Sequence, residues 1–355
     1  MELTIIFDYI IISIITSMAI NSILRNLAKQ NNFLVDLPDR SRKFHKKPTP
    51  LTGGIGIFIA LLISGKLYID LNNFTGYLPE FTFHLMLVSI PLIGLFLIDD
   101  LKGSKPSYRI LIQCLLTVYM IFSTNVYLES LGNLFGFGNL NLGIFSIPFT
   151  IFCVVGIMNA FNMIDGINGL CSGCAMLALL LIGFYSGLIY DSMLVLIIGS
   201  MIGFVLFNLG TFGKKRGVFL GDSGSNLIGF WVAWCAVYAS QNQLYDIEPI
   251  TMLWFVAIPF LDCIGLIFSR IKRGISWSSP GRDHIHHKLM RNFSPKSTLL
   301  LILIITLITG LFGIYIENNT TPLTSLLLFI TYGFIYFVFA GYDEDKNEED
   351  IKNNV

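Results

Sequence analysis

The chain of 355 residues is 54% hydrophobic and only 13% charged, with 23 basic and 23 acidic side chains in balance. Soluble domains carry about 25% charged residues, so this composition excludes a water-soluble globular protein. Zero net charge likewise gives no whole-chain attraction to nucleic acid.

A helix needs about 20 apolar residues to cross the hydrocarbon core. Such stretches follow one another at 3–23, 51–69, 82–98, 107–128, 143–161, 168–189, 192–211, 222–240, 250–270, 297–316 and 324–341. The expectation is an all-α, polytopic integral membrane protein of about eleven transmembrane helices. No soluble domain fits between the stretches, so residues 1–341 read as a single transmembrane domain and 342–355 as an acidic, solvated tail. No Lys or Arg precedes Arg25, which argues that the first apolar stretch is retained rather than cleaved. The six cysteines (Cys114, Cys153, Cys171, Cys174, Cys235, Cys263) all lie in apolar stretches and read as packing residues, not as disulfides or zinc ligands.

Orientation follows from the basic residues. The segments 25–50, 102–109, 214–216 and 270–296, with the tail, hold 22 of the 23 Lys and Arg side chains, leaving only Lys66 elsewhere. Eleven crossings place these segments on one face, which the positive-inside rule assigns to the cytoplasm, with the N-terminus outside and the C-terminus inside.

Polar residues collect at the same ends. Asp99 and Asp100 close the third span. Adjacent carboxylates repel unless a cation is near, and acids at a helix C-terminus oppose its dipole, so a metal or substrate role is favoured over a plain solvated helix end. At the end of the fifth span, Asn159, Asn162 and Asp165 share a helical face, and Asn168 follows between Gly166 and Gly169. Oxygen donors without thiol or imidazole suit Mg²⁺, with Mn²⁺ as the alternative; helix-to-helix hydrogen bonding is the lesser option, given four polar groups in ten residues. The run Gly221-Asp222-Ser223-Gly224-Ser225 opens the eighth span. It offers either a phosphate site at a helix N-terminus with Asp222 as metal ligand, or an ordinary cap.

The last basic loop carries Gly281-Arg282-Asp283-His284-Ile285-His286-His287. With no cysteine or glutamate to complete a zinc set, its histidines are better read as hydrogen-bonding a diphosphate or nucleotide. Asp262 lies about two turns before Arg270 and is expected to orient the histidine loop through a structural ion pair rather than to act in catalysis. Arg109, at the start of the fourth span, is either a phosphate clamp or a snorkelling interfacial arginine.

In order, these blocks resemble the polyprenyl-phosphate N-acetylhexosamine-1-phosphate transferase family over essentially the whole chain. They run from Asp36-Leu37-Pro38, His45-Lys46-Lys47-Pro48 and Gly53-Gly54 through Asp99-Asp100, Asn159 to Leu170 and Gly221 to Ser225, to His284 to His287. The sequence His284-Ile285-His286-His287 after Gly281-Arg282-Asp283 is similar to the bacterial undecaprenyl-phosphate GlcNAc-1-phosphate transferase branch, which serves common-antigen and O-antigen synthesis.

The resemblance implies a multi-pass enzyme of the bacterial inner membrane with a cytoplasmic active site. It implies UDP-GlcNAc and undecaprenyl phosphate as substrates and a homodimeric state. UDP-GalNAc or a muramoyl-pentapeptide donor are the alternatives. It further implies Asp222 and Asp165 as leading metal ligands, Asp99 and Asp100 positioning the metal or lipid phosphate, and all four as the catalytic carboxylates. Asn159, Asn162, Asn168, Arg109, Arg282, His284, His286 and His287 would bind substrate. Asn168 departs from the bacterial pattern, which has aspartate there, so no base is expected at that position. A secondary transporter is the competing class, although transporters place their polar groups near the bilayer midplane.

Overall fold

The computed structural model describes residues 3–37, 48–71, 79–213, 216–242, 244, 247–276, 281 and 283–340. The described residues form thirteen α-helices: α1 (Leu3–Asn31), α2 (Gly53–Leu71), α3 (Glu80–Lys102), α4 (Pro106–Thr124), α5 (Ser146–Ile164), α6 (Leu170–Ser186), α7 (Ser192–Asn208), α8 (Gly221–Gln241), α9 (Pro249–Phe255), α10 (Ala257–Lys272), α11 (Ile285–Leu289), α12 (Pro295–Asn319) and α13 (Pro322–Ala340). One short antiparallel pair, β1 (Val35–Asp36) with β2 (Thr49–Pro50), interrupts the otherwise helical chain. Of the basic segments and motifs read from the sequence, Pro38 to Lys47, Lys214, Lys215, Arg282 and the tail lie outside the described residues.

Seven of these helices are long and apolar enough to cross a membrane, or eight if α9 and α10 form one broken span. That is a polytopic membrane protein, with fewer unambiguous spans than the eleven expected. The differences have local causes. Helices α6 and α7 have 17 residues each, about 25 Å of helix against a core of about 30 Å. Helices α9 and α10 meet at an angle of 84°. The ring of Pro259 clashes with the carbonyl four residues back and supplies no N–H to it, and that carbonyl belongs to Phe255, the last residue of α9.

Helix α8 is the hub. Trp231, Trp234 and Phe230 are fully buried in it, and α2, α3, α5, α6 and α9 pack around it. Shielded from lipid by its neighbours, α8 can carry Ser223, Ser225 and Asn226 without exposing them to hydrocarbon. The outer helices do the reverse. Phe7, Ile11 and Ile15 on α1 and Phe334 and Val338 on α13 recur at helical spacing and are exposed, as a lipid-facing surface requires.

Two faces are defined by contacts between helix ends. On one, Gly53 N–H donates to Phe219 O at 3.0 Å, Gly169 N–H to Asn208 Oδ1 at 2.6 Å and Lys288 Nζ to Ala340 O at 2.6 Å. On the other, Glu129 N–H donates to Gln241 Oε1 and Glu248 N–H to Glu317 Oε1, both at 2.9 Å. Among the described residues, Asp99-Asp100, Asn159 to Leu170, Gly221 to Ser225 and His284 to His287 end on the first face, which also carries Arg25, Arg109 and Arg270.

Candidate active site

Helix α8 begins at Gly221, whose φ of +76° suits a residue without Cβ. No side chain of its own segment caps the helix. The cap comes from α3: Asp100 Oδ1 accepts from Asp222 N–H at 2.8 Å, and Oδ2 accepts from Ser223 N–H at 3.2 Å and from Ser223 Oγ–H at 2.8 Å. Of the two readings of this segment, the cap is the one seen, although it is supplied across helices: the N–H groups of Asp222 and Ser223 are held by Asp100, whose two oxygens take three donors.

Arg109 stands one turn into α4 and faces both neighbours. Its Nη2 meets Asp99 Oδ2 at 2.8 Å and its Nη1 meets Asp222 Oδ2 at 3.0 Å. The contact with Asp99 is close in distance without hydrogen-bond alignment, whereas that with Asp222 is aligned. The Asp99 side chain is 3% exposed and that of Asp222 39%, so Asp222 is the carboxylate open to a ligand and Asp99 its buried companion. Arg109 is therefore engaged in the site and is not a snorkelling residue.

Behind Asp222 runs a ladder of amides that the sequence did not reveal. Asn159 Nδ2 donates to Gln113 Oε1 at 2.8 Å, Gln113 Nε2 to Asn226 Oδ1 at 2.7 Å, and Asn226 Nδ2 to Asp222 O at 2.8 Å. Asn159 also donates to Val155 O at 2.8 Å; both its donors are engaged, which gives it a supporting place rather than a substrate-facing one. Asn162 sits nearer the opening. Its Nδ2 donates to Asp222 Oδ1 at 3.2 Å and to Ser225 Oγ at 2.8 Å.

Helix α5 stops at Asp165, and the turn to α6 is held by Asn208, which accepts from Gly169 N–H and donates to Val218 O at 2.9 Å. Asn208 thus ties this turn to the approach of α8, a role no motif announced. Asp165 is open to solvent yet walled in by protein, and this confinement, then the charges of Asp222 and Asp100, lifts its carboxyl to about 7. Asn168 is exposed.

The histidines form a stack beside this turn, with ring centroids 4.1 Å apart for His286 and His287 and 5.3 Å for His284 and His286. His286 is fully buried and lies against Gly166, where a Cβ would collide with its Nε2. Burial first, then the neighbouring His287 and His284, pushes its imidazole down to about 3. Asp262 anchors the loop through His284 Nδ1 at 2.8 Å and Ile285 N–H at 2.9 Å. Asp262 thus orients the histidine loop as expected, through His284 rather than through Arg270, which lies about 12 Å further along the helix axis. Arg270 instead joins Asp283 at 2.9 Å, as does Arg273 at 2.8 Å. Burial alone would raise Asp283, but these guanidiniums bring it down to about 2.

Among the described residues, no three His, Cys, Asp or Glu side chains converge on one point. The donor chemistry nevertheless fits Mg²⁺, which takes one or two protein carboxylates and completes its shell with water and phosphate oxygens. Asp165 is exposed and Asp222 half-buried with its side chain 39% accessible, and Asn162 steadies the latter.

Fold and site together define a multi-pass membrane protein with a carboxylate, amide and arginine centre at the face where its basic residues gather. The chain belongs to glycosyl transferase family 4, whose family model matches residues 55–240. It is 34% identical over 315 residues to the undecaprenyl-phosphate alpha-N-acetylglucosaminyl 1-phosphate transferase of Yersinia pestis, covering 85% of this chain and 83% of that protein. Proteins of the same name from Salmonella typhi and Haemophilus influenzae are each 32% identical, over 85% and 86% of this chain and 82% and 85% of their own lengths.

Proposed function

We propose that this chain transfers N-acetylglucosamine-1-phosphate from UDP-GlcNAc to undecaprenyl phosphate, releasing UMP. The observation that carries this reading is the bridge from Arg109 to the open carboxylate Asp222 and the buried Asp99. The relatives' shared name states the same transfer.

In the reaction an oxygen of the lipid phosphate bonds to the sugar-bearing β-phosphorus, the bond from that phosphorus to the oxygen bridging to the α-phosphate breaks, and UMP leaves with the electron pair. A phosphate monoester has its second pKa near about 6, so the nucleophile is largely dianionic at neutral pH and needs no strong base. What the reaction needs is charge neutralisation and in-line placement. Mg²⁺, when held by Asp222 and Asp165, supplies neutralisation of the diphosphate. Arg109 keeps Asp222 oriented and limits repulsion between it and Asp99. Asn162 fixes the other oxygen of Asp222, and the Asp100 cap sets where α8 begins. The histidine loop, held by Asp262 and by the Arg270 and Arg273 pairs to Asp283, stands beside Asp165 where it can bound the nucleotide side.

The basic face is proposed as cytoplasmic under the positive-inside rule, in a bacterial inner membrane crossed eleven times, with the product entering O-antigen or common-antigen type synthesis. A transporter is disfavoured by the position of the polar groups at helix ends. The test is UMP release by purified protein across a panel of UDP-sugars with undecaprenyl phosphate. Release with UDP-GlcNAc supports the reading, while solute uptake into vesicles without UMP from any donor overturns it.

A further inference from the structure

On the same face, away from the carboxylates, α1, the end of α7, Phe212 and Arg216 line an open cavity of about 470 Å³. Its polar wall is Arg25, Arg216 and Ser22, and its apolar wall includes Met18, Phe207 and Phe212. We infer that this cavity binds the phosphate headgroup of an anionic phospholipid of the surrounding bilayer, with its acyl chains running down the outside of α1.

Two cations share this cavity. Arg216 repels Arg25 electrostatically, and among the described residues neither guanidinium meets a carboxylate. Arg25 finds only the neutral Asn26 Oδ1, at 2.6 Å, and its Nε is buried with no acceptor. Like charges held together are unfavourable, and a phosphate accepts from two guanidinium forks at once. The apolar side matches the rest of such a molecule. The rings of Phe207 and Phe212 are 5.0 Å apart behind the arginines. On α1, Ile15 and Ile23 are exposed to the extent of 61% and 53%, offering a lipid-facing track beside the opening. Basic pockets between transmembrane helices at this depth select anionic headgroups.

The acceptor lipid of the proposed reaction also carries a phosphate, but its phosphate must reach Asp222. None of Asp99, Asp100, Asp165, Asp222 or Arg109 lines this cavity, so a headgroup seated between Arg25 and Arg216 belongs to a different lipid.

The test is native mass spectrometry of the full chain, with thermal unfolding in neutral detergent, during titration with phosphatidylglycerol, phosphatidylcholine, inorganic phosphate or undecaprenyl phosphate. Retention of phosphatidylglycerol and a raised Tm, absent with phosphatidylcholine and inorganic phosphate, are expected. Arg25→Gln and Arg216→Gln should each weaken phosphatidylglycerol binding about tenfold or more, with UMP release unchanged. If either variant fails to fold, Ala19→Leu keeps both charges, narrows the cavity and should reduce retention in the same way. Equal retention of the two phospholipids, undiminished binding in folded variants, or full competition by inorganic phosphate overturns the inference. So does displacement of phosphatidylglycerol by one equivalent of undecaprenyl phosphate, which would give the cavity to the acceptor. The lipid-retention and Tm readouts are independent of whether the chain turns over UDP-GlcNAc.

Discussion

Ser223 donates both its backbone N–H, at 3.2 Å, and its hydroxyl, at 2.8 Å, to the carboxylate of Asp100. The residues belong to different helices, so this contact fixes where α8 starts relative to α3 and thereby where Asp222 stands. Asp100→Ala removes the cap and should destabilise the protein by about 1–2 kcal/mol, read as a lowered Tm in detergent. Asp100→Asn keeps an accepting oxygen and should retain turnover, with a Mg²⁺ half-saturation close to the parent's. A Mg²⁺ requirement raised as far as in Asp222→Asn would make Asp100 a direct ligand.

Arg109 serves two carboxylates at once, so its loss leaves Asp99 buried beside Asp222 with no cation between them. Arg109→Ala should lower kcat/KM by about two orders of magnitude, and Arg109→Lys should recover only part, because an ammonium cannot reproduce the fork. In a double-mutant cycle with Asp99→Asn, the two losses should be strongly non-additive. Additive losses would separate the two residues.

At Gly166 a Cβ would run into the His286 ring, which is itself fully buried. Gly166→Ala should displace the turn after α5 and with it Asp165, lowering activity at least tenfold while the protein still inserts and elutes as the parent does. Pairing it with His286→Ala, which vacates the space, should restore part of the lost turnover.

His286 also sets a pH dependence. Its folded value of about 3 lies below an unfolded value near 6.5, so the unfolded chain binds the proton first. Its contribution to stability is complete above about pH 6.5 and is lost as pH falls toward 3. Asp165, raised to about 7, acts the other way over the same window, so the readout is the difference between parent and His286→Phe. The variant should lose less Tm than the parent between pH 7.5 and 5. An equal loss would mean that His286 is not buried as an uncharged ring.

Much of the site was legible because charge inside an apolar helix needs a reason: Asp99, Asp100, Asp165 and Asp222 stand out against hydrocarbon, and all end on one face. What each does was less legible. Adjacency says that Asp99 and Asp100 repel, but side chains one residue apart on a helix point about 100° apart, and here one turns to Arg109 and the other to α8. Gln113 was missed because a single amide in an apolar stretch has no signature until Asn159 and Asn226 arrive from other helices. Spacing along α10 suggested Arg270 for Asp262, whereas the chain returning through the histidine loop supplied His284. Apolar windows likewise do not register an 84° break, because Pro259 changes direction without changing hydrophobicity.

The central claim is tested most directly by measuring UMP and lipid-linked product from purified parent and Asp222→Asn protein, side by side, with UDP-GlcNAc, undecaprenyl phosphate and Mg²⁺. The parent should form the two products in equal amounts and stop when EDTA is added. Asp222→Asn, equally folded, should be slower by about two to three orders of magnitude. A folded parent that releases no UMP, or an Asp222→Asn protein as fast as the parent, would contradict the account.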